Sequence, residues 1–237
     1  TTGTDTVVYS NIASITTPFS TLQWTMDHML EGDSIIVHPG DHAGSADNGG
    51  KSVHIRGNAV VADEVSVLGE LEFTGGSNSV NMLRVSNASG DGFNVSAGSI
   101  NIAYVSVDYT NGKAIFLSDT ADATIANVTL YGNGYGLYDN SSGSITMTNS
   151  IIWDIVFNTD SLTIYSNDLS YGGSNDSFTG SPIVTYSNIN FGNNIEQTFP
   201  YWNTYSGTEN IDSDPLFVDA ANGDFNLDLL SPCIDTG

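Results

Sequence analysis

The sequence predicts an all-β fold, a right-handed parallel β-helix in which the chain winds as a three-sided solenoid of about seven to nine coils. Three observations predict it: an alternating pattern recurs roughly every 20 residues, turn residues interrupt it in the middle, and Gly- and Asn-containing turns separate the copies. Alternation with a period of two is typical of strands with one buried face. So short a unit cannot enclose a core alone, and we therefore expect successive copies to stack.

The repeated segment contains an alternating run, two turn residues and a second alternating run. Its predicted copies begin at Ser79, Ser99, Asp122, Ser144, Ser161 and Ser181. Stacking places one apolar position of each copy in an internal column formed by Ile102, Ile125, Met147, Ile164 and Val184. A second predicted column contains Val107, Leu130, Ile152, Leu169 and Ile189. A third strand of each coil is predicted around Phe93, Val95, Ile115, Leu117, Leu137, Ile155 and Phe157.

The chain is predicted to be one domain, 1–237, because the repeat is continuous. Its N-terminal part, 1–40, contains a strand and an amphipathic helix, with Thr17 as N-cap and Pro18 in the first turn. We expect this helix to cover the open end of the coils, which occupy 41–190. An aromatic loop and a closing segment follow in 191–237.

The charge is strongly one-sided. Asp and Glu number 27, whereas Lys and Arg number 4, which gives a net charge of −23. Such a surface repels nucleic acid and acidic polymers and favours cations. No apolar run reaches the length of a membrane span, so we expect no membrane segment.

Several segments resemble secreted parallel β-helix proteins of the pectate-lyase-like superfamily. Gly32–Gly40 is similar to the first strand of those proteins, and Gly50–Gly57 is similar to one of their coils. Three C-terminal segments, Asp214–Asp219, Gly223–Leu227 and Ser231–Gly237, resemble the end of bacterial surface and secreted members. The resemblance covers nearly the whole chain. It implies a β-helix that is secreted or held at the cell surface, and it does not define an activity.

Lyases of this superfamily use an Arg or Lys base and a neutralising cation on an outer sheet. The residues available for that role are Arg84, Lys113 and Lys51. Glycoside hydrolases would instead need paired carboxylates one coil apart. The pairs that we consider are Asp108 with Asp154 and Asp139 with Asp160.

Calcium is the cofactor that the sequence favours. Hard cations bind several converging carboxylate and carbonyl oxygens. The proposed ligands are Asp212, Asp214, Asp219 and Asp224. A transition-metal site formed by His38, His42 and His54 is a weaker alternative.

Carbohydrate is the ligand that the exposed aromatic residues favour, because sugar rings stack on aromatic side chains. The residues predicted to bind it are Trp153, Tyr131, Tyr138 and Trp202. A polar ladder is a further predicted surface, able to face a carbohydrate or ice, and it contains His54, Asn81, Asn101, Thr124, Thr146 and Thr163.

The sequence therefore predicts an exported, non-catalytic surface, adhesion or structural module that binds carbohydrate or assembles with itself. Its expected partners are a polysaccharide, a cell-surface component or copies of the same chain, and nucleic acid is excluded by charge. The alternative is a polysaccharide lyase or glycoside hydrolase that acts on an extracellular polysaccharide.

Overall fold

A computed structural model describes residues 6–7, 21–58, 64–86, 89–154, 162–164, 183–190 and 208–234. The described residues form one α-helix, α1 (Leu22–His28), and one turn of 3-10 helix at Ala220–Asn222. The strands are β1 (Thr6–Val7), β2 (Asp33–Val37), β3 (Gly40–Ala43), β4 (Ala46–Asp47), β5 (Val53–Gly57), β6 (Val65–Leu68), β7 (Leu71–Phe73), β8 (Ser77–Ser86), β9 (Phe93–Val95), β10 (Ser99–Asp108), β11 (Lys113–Asp119), β12 (Asp122–Tyr131), β13 (Tyr135–Ser141), β14 (Ile145–Thr148), β15 (Ile151–Trp153), β16 (Leu162–Ile164), β17 (Ile183–Thr185), β18 (Asn188–Ile189), β19 (Phe217–Asp219) and β20 (Asp224–Leu227).

The strands build a parallel β-solenoid, as the sequence predicts. The first sheet stacks β1, β2, β5, β8, β10, β12, β14 and β17 along its main path, and the second sheet stacks β4, β7, β9, β11, β13 and β16. The described residues complete about five turns, fewer than the seven to nine predicted. The coils of β1 and β17 contribute to the first sheet but have no described strand in the second sheet.

The predicted column of stacked apolar side chains is confirmed. Ile102 pairs with Ile125, and Ile125 pairs with Met147. Val80 and Val184 extend this column at its two ends. All five side chains are buried. The second column is also in register, through Val107, Leu130, Ile152 and Ile189.

Two of the predicted copies are placed differently. The first begins at Ser77, because Ser77 and not Ser79 pairs with Ser99. A shift of two residues keeps every side chain on the same face, so alternation alone cannot distinguish the two registers. Ile164 lies in the second sheet, where it pairs with Asp139 and not with the column of Ile102. Three other predicted core residues lie outside the described residues: Leu169, Ile155 and Phe157.

The turn predicted inside each copy is a corner with left-handed backbone. The φ angle is 57° at Met82, 55° at Tyr104 and 55° at Asn127, and the same column continues at Asn149 and Tyr186. These corners divide the first sheet into a first half and a second half. With the second sheet as the remaining side, the solenoid has three sides.

The helix begins later than predicted. Thr21 is its N-cap, and the Thr21 hydroxyl accepts a hydrogen bond of 3.1 Å from the backbone N–H of Trp24. Thr17 and Pro18 lie outside the described residues. The covering of the coil end by this helix therefore stays a prediction. No helix within the described ranges is long and apolar enough to cross a membrane.

Candidate functional site

The three sides of the solenoid present different surfaces. The first half of the first sheet presents short polar side chains, whereas the second half is covered by residues 208–234, which we call the C-terminal strap. The second sheet carries acidic residues at one end and aromatic residues at the other. Within the described ranges, the second half of the first sheet is thus the surface that another segment of the chain covers.

The C-terminal strap begins by extending the stack, because Ile211 pairs in parallel with Asn188, and its later residues run along several coils. The amide of Asn188 donates a hydrogen bond of 2.6 Å to the carbonyl of Ser213. Further along, the Tyr109 hydroxyl donates to the carbonyl of Ala220 over 3.1 Å. Gly223 lies against the guanidinium of Arg84. Two outward-facing residues of this side, Ser106 and Asp108, are buried.

A buried ion pair lies beneath the tip of the strap. Arg84 Nε donates to Asp108 Oδ1 over 2.6 Å, and Arg84 Nη2 donates to Asp108 Oδ2. The Asp108 side chain is fully buried, and the Arg84 side chain is 22% exposed. Ser106, the register partner of Arg84, has a buried hydroxyl with no hydrogen-bond partner among the described residues.

The three cations considered for a lyase site all have structural contacts, and they lie on different elements. Lys51 Nζ donates to the carbonyls of Met26, Asp27 and Met29 over 3.1–3.3 Å, at the C-terminal end of α1. Arg84 holds Asp108. Lys113 Nζ lies 3.6 Å from a carboxylate oxygen of Asp91. Arg84 lies two residues after the corner of its coil, which Met82 occupies.

The carboxylates considered for a hydrolase lie in different surroundings, and their pairing stays a prediction. Asp108 is neutralised by Arg84. Asp139 is buried inside the coil, where its Oδ1 accepts hydrogen bonds from the N–H and the hydroxyl of Ser141. Burial raises the pKa of Asp139, and the hydrogen bonds from Ser141 oppose that shift. Asp160 lies outside the described residues.

Two of the four aromatic residues predicted to bind carbohydrate lie side by side. Tyr131 and Trp153 are register neighbours at the end of the first sheet. Tyr131 is covered by the strap, and its ring lies 5.7 Å from that of Phe217 and 5.4 Å from that of Phe225. Burial, followed by the charge of Asp154, raises the pKa of Tyr131 to about 12.

Tyr138 lies on another side, in the second sheet, and Trp202 lies outside the described residues. Tyr138 belongs to a group of rings that we call the aromatic platform, formed by Phe116, Tyr135 and Tyr138. Phe116 and Tyr138 pair on successive coils, with ring centroids 5.5 Å apart and an interplanar angle of 81°. The ring of Tyr135 lies 6.1 Å from that of Tyr138 at 84°. All three side chains are partly exposed.

A cation lies over this platform. Lys113 Nζ is 4.1 Å from the ring centroid of Phe116 and 5.1 Å from that of Tyr138. Both distances are within the range of cation–π attraction. Phe116 was not predicted, although it stands 22 residues before Tyr138, which is one coil. That spacing was the signal that would have found it.

Acidic residues occupy the other end of the same sheet. Asp47 and Glu72 are register partners on successive coils. Burial raises the pKa of Glu72, and the charges of Asp47 and Glu70 add to the shift. Asn94 separates this acidic end from the aromatic platform, since Asn94 pairs with both Glu72 and Phe116.

The polar ladder is present, but some of its residues differ from those predicted. Its described column is Ser34, His54, Ser79, Asn101, Thr124 and Thr146. Ser79 takes the place predicted for Asn81, for the register reason given above. Thr163 belongs to the second sheet, where it pairs with Tyr138. Binding of ice or carbohydrate by this ladder stays a prediction.

The four aspartates predicted to bind calcium lie in or next to the strap. Asp219 and Asp224 are register partners in its hairpin. Asp214, Asp219 and Asp224 each accept a local hydrogen bond from a residue two or three positions later. Among the described residues no group of three or more His, Cys, Asp or Glu side chains is placed to hold a metal ion, and this includes Asp212 and the three histidines. Calcium binding stays a prediction.

Comparison with known proteins identifies no relative of this chain. No family model, no curated protein and no solved structure matches this chain. The β-solenoid fold is therefore established by the strand pairing alone.

Proposed function

We propose that this chain is an exported, non-catalytic surface module that binds a non-acidic polysaccharide on the aromatic platform. Export is inferred from the resemblance of Gly32–Gly40 and of the C-terminal segments to secreted β-helix proteins. The observation that carries the binding proposal is the contiguous set of Phe116, Tyr135 and Tyr138 rings on one side of the coil.

Aromatic side chains suit sugars because the C–H faces of a sugar ring pack on a flat apolar surface. The platform is partly exposed, and it continues along the sheet into hydrogen-bonding groups at Asn94 and Glu70. Residues on successive coils follow the rod axis, so an extended polymer chain running along the rod would meet the rings one after another. These features favour a polymer over a small, enclosed ligand.

The net charge selects the class of polysaccharide. At −23 the protein repels alginate-like and pectate-like polymers unless a cation intervenes. Neutral and cationic polysaccharides meet no such barrier. We therefore expect binding to be restricted to these two classes.

The proposal that the module is non-catalytic rests on the cations. Lys51, Arg84 and Lys113 are held by backbone carbonyls, by Asp108 and by Asp91. A lyase base must be free to remove a proton from the substrate, and these contacts disfavour that role.

Glycoside hydrolysis on the second sheet is a second candidate function. Asp47 and Glu72 face outward one coil apart, and burial raises the pKa of Glu72, as a general acid requires. Release of reducing ends from a neutral polysaccharide, abolished in Glu72→Gln, would establish this activity in place of the non-catalytic proposal.

Affinity electrophoresis and calorimetry with soluble neutral, cationic and acidic polysaccharides test the binding proposal. We expect retardation by non-acidic polymers and a loss of about tenfold in affinity in Tyr138→Ala, equivalent to ~1.4 kcal/mol. Tyr104→Ala is the matched control, because Tyr104 is an exposed aromatic residue at a corner of the first sheet. Binding that is insensitive to Tyr138→Ala, or binding to no polysaccharide, would overturn the proposal.

A further inference from the structure

The aromatic platform already holds a positive charge. The ammonium of Lys113 lies over the rings of Phe116 and Tyr138, at 4.1 Å and 5.1 Å from their centroids. The Asp91 carboxylate approaches the same ammonium at 3.6 Å. Two ring faces and one carboxylate around an ammonium are the elements of an ammonium-binding site.

The surroundings reinforce this preference for cations. Lys113 is the only Lys or Arg in the described strands of the second sheet. The outward residues at the opposite end of the sheet include Asp47 and Glu72. A polymer that carries positive charge would be attracted to this side over its whole length, because the acidic end and the platform lie on the same face.

We infer that the platform takes the ammonium groups of an amino-sugar polymer, and that Lys113 occupies this position in the free protein. This inference rests on the proposed function and names the class of its ligand. A sugar ring that bears an ammonium group satisfies both parts of the site, since its C–H face stacks on one ring while its charge lies against the aromatic faces and Asp91. Lys113 then swings away when the ligand binds.

In this arrangement the Lys113 ammonium competes with the ligand ammonium for the aromatic platform, and Lys113 does not donate hydrogen bonds to the ligand. Its replacement by Met keeps an unbranched side chain and removes the charge. Lys113→Met therefore tightens binding of a cationic ligand, by several-fold, because no internal ammonium has to be displaced. A Lys113 that donated hydrogen bonds to the ligand would give the opposite result.

The experiment compares glucosamine oligomers with N-acetylglucosamine oligomers of equal length by calorimetry. The two ligands differ in the charge on nitrogen and in the acetyl group. We expect the glucosamine oligomer to bind at least tenfold more tightly to the wild-type chain. Lys113→Met increases this affinity, and Phe116→Leu lowers it by about tenfold while leaving the net charge unchanged.

The Phe116→Leu variant separates the platform from general attraction to an acidic protein. Attraction by net charge alone is the same in the wild-type chain and in Phe116→Leu, so an unchanged affinity overturns the inference. Equal binding of the two oligomers also overturns it, and it leaves the proposed function intact if Tyr138→Ala still weakens binding. Binding of neither oligomer nor of any neutral polysaccharide overturns both. Circular dichroism and urea midpoints close to wild type verify that each variant is folded.

Discussion

Arg84 holds the carboxylate of Asp108 through both of its oxygens, in a place where the Asp108 side chain has no contact with solvent. The two residues stand on adjacent strands, β8 and β10, and the tip of the C-terminal strap covers them. A buried carboxylate is costly without a partner, so the fold depends on Arg84 to neutralise Asp108.

Removal of the arginine should be strongly destabilising. In Arg84→Met the Asp108 carboxylate stays buried without a counter-charge, and we expect a loss of about 3–5 kcal/mol in the free energy of unfolding. The double variant Arg84→Met with Asp108→Asn should recover much of that loss, because it removes the uncompensated charge. Urea unfolding followed by circular dichroism measures both effects.

Arg56→Met is the control for this prediction. Arg56 is exposed on the first half of the first sheet, and its loss should change stability by about 0.5 kcal/mol or less. A similar cost in Arg84→Met and Arg56→Met would mean that the Arg84 contact contributes nothing beyond an ordinary surface residue.

The strap depends on the absence of a side chain at Gly223. Its φ angle is +85°, and a Cβ at this position would lie 2.6 Å from Arg84 Nη1 and 2.9 Å from Arg84 Cζ. Arg84 cannot easily move aside because Asp108 holds it. Gly223→Ala should therefore displace the strap and accelerate cleavage of its C-terminal hairpin in limited proteolysis.

Gly32→Ala provides a matched comparison. Gly32 has a φ angle of +80°, and no heavy atom lies within 4 Å of the position that a Cβ would take. Gly32→Ala should therefore lower the free energy of unfolding only by the cost of the left-handed backbone, about 1 kcal/mol. The loss of stability should be larger in Gly223→Ala. Equal losses in the two variants would show that the strap adjusts without difficulty.

The stacked core and the corners of the coil could be predicted from the sequence, because both depend on its periodicity. Ile102, Ile125 and Met147 are neighbours because alternation and a repeat of about 20 residues permit no other compact arrangement. The corner at Tyr104 and Asn127 was predictable for the same reason. Register was less certain, because shifting a strand by two residues from Ser79 to Ser77 changes no side chain from inside to outside.

Most of the candidate site could not be predicted from the periodicity of the sequence. Tyr138 was predicted to bind carbohydrate, but the position of the Lys113 ammonium over the rings of Phe116 and Tyr138 depends on side-chain conformations that leave no periodic signal. Nothing in the alternation indicates which of three sides a strand faces, and Ile164 was misplaced for that reason. The path of the strap depends on single contacts, such as that of Tyr109 with Ala220, which leave no periodic signal.

The corner at Tyr104 should tolerate, and favour, asparagine. Its φ angle is 55°, a region in which most side chains cost roughly 1–2 kcal/mol and Asn costs less. Directly along the same column, Asn149 already donates its amide to the side-chain oxygen of Asn127. Because Tyr104 is 57% exposed, Tyr104→Asn loses little buried surface.

We expect Tyr104→Asn to raise the free energy of unfolding by about 0.5–1 kcal/mol, as part of that backbone cost is relieved. Tyr104→Phe keeps the backbone strain and should be neutral. Thermal and urea denaturation of the two variants check this. A destabilised Tyr104→Asn would indicate that the tyrosine ring contributes packing energy at the corner.

Asp139 gives the fold a pH dependence of opposite sign to that of a salt-bridged aspartate. Burial raises its pKa, so the folded chain holds a proton on Asp139 that the unfolded chain has already lost. The resulting stability is present below the ordinary pKa of an aspartate and is lost as pH rises through the raised value. Above that raised value the ionised carboxylate destabilises the coil.

Asp139→Asn should therefore be more stable than the wild-type chain at pH 7, since the amide oxygen still accepts hydrogen bonds from Ser141 and no charge is buried. The advantage should disappear below about pH 4, where the wild-type carboxyl is neutral as well. Urea unfolding at pH 3.5, 5 and 7 measures the difference between the two chains. Asp41→Asn, at an exposed position, is the matched control. A gain that is equal at all three pH values would mean that the amide stabilises the coil by packing, and a loss at pH 7 would mean that the charged hydrogen bonds with Ser141 outweigh burial.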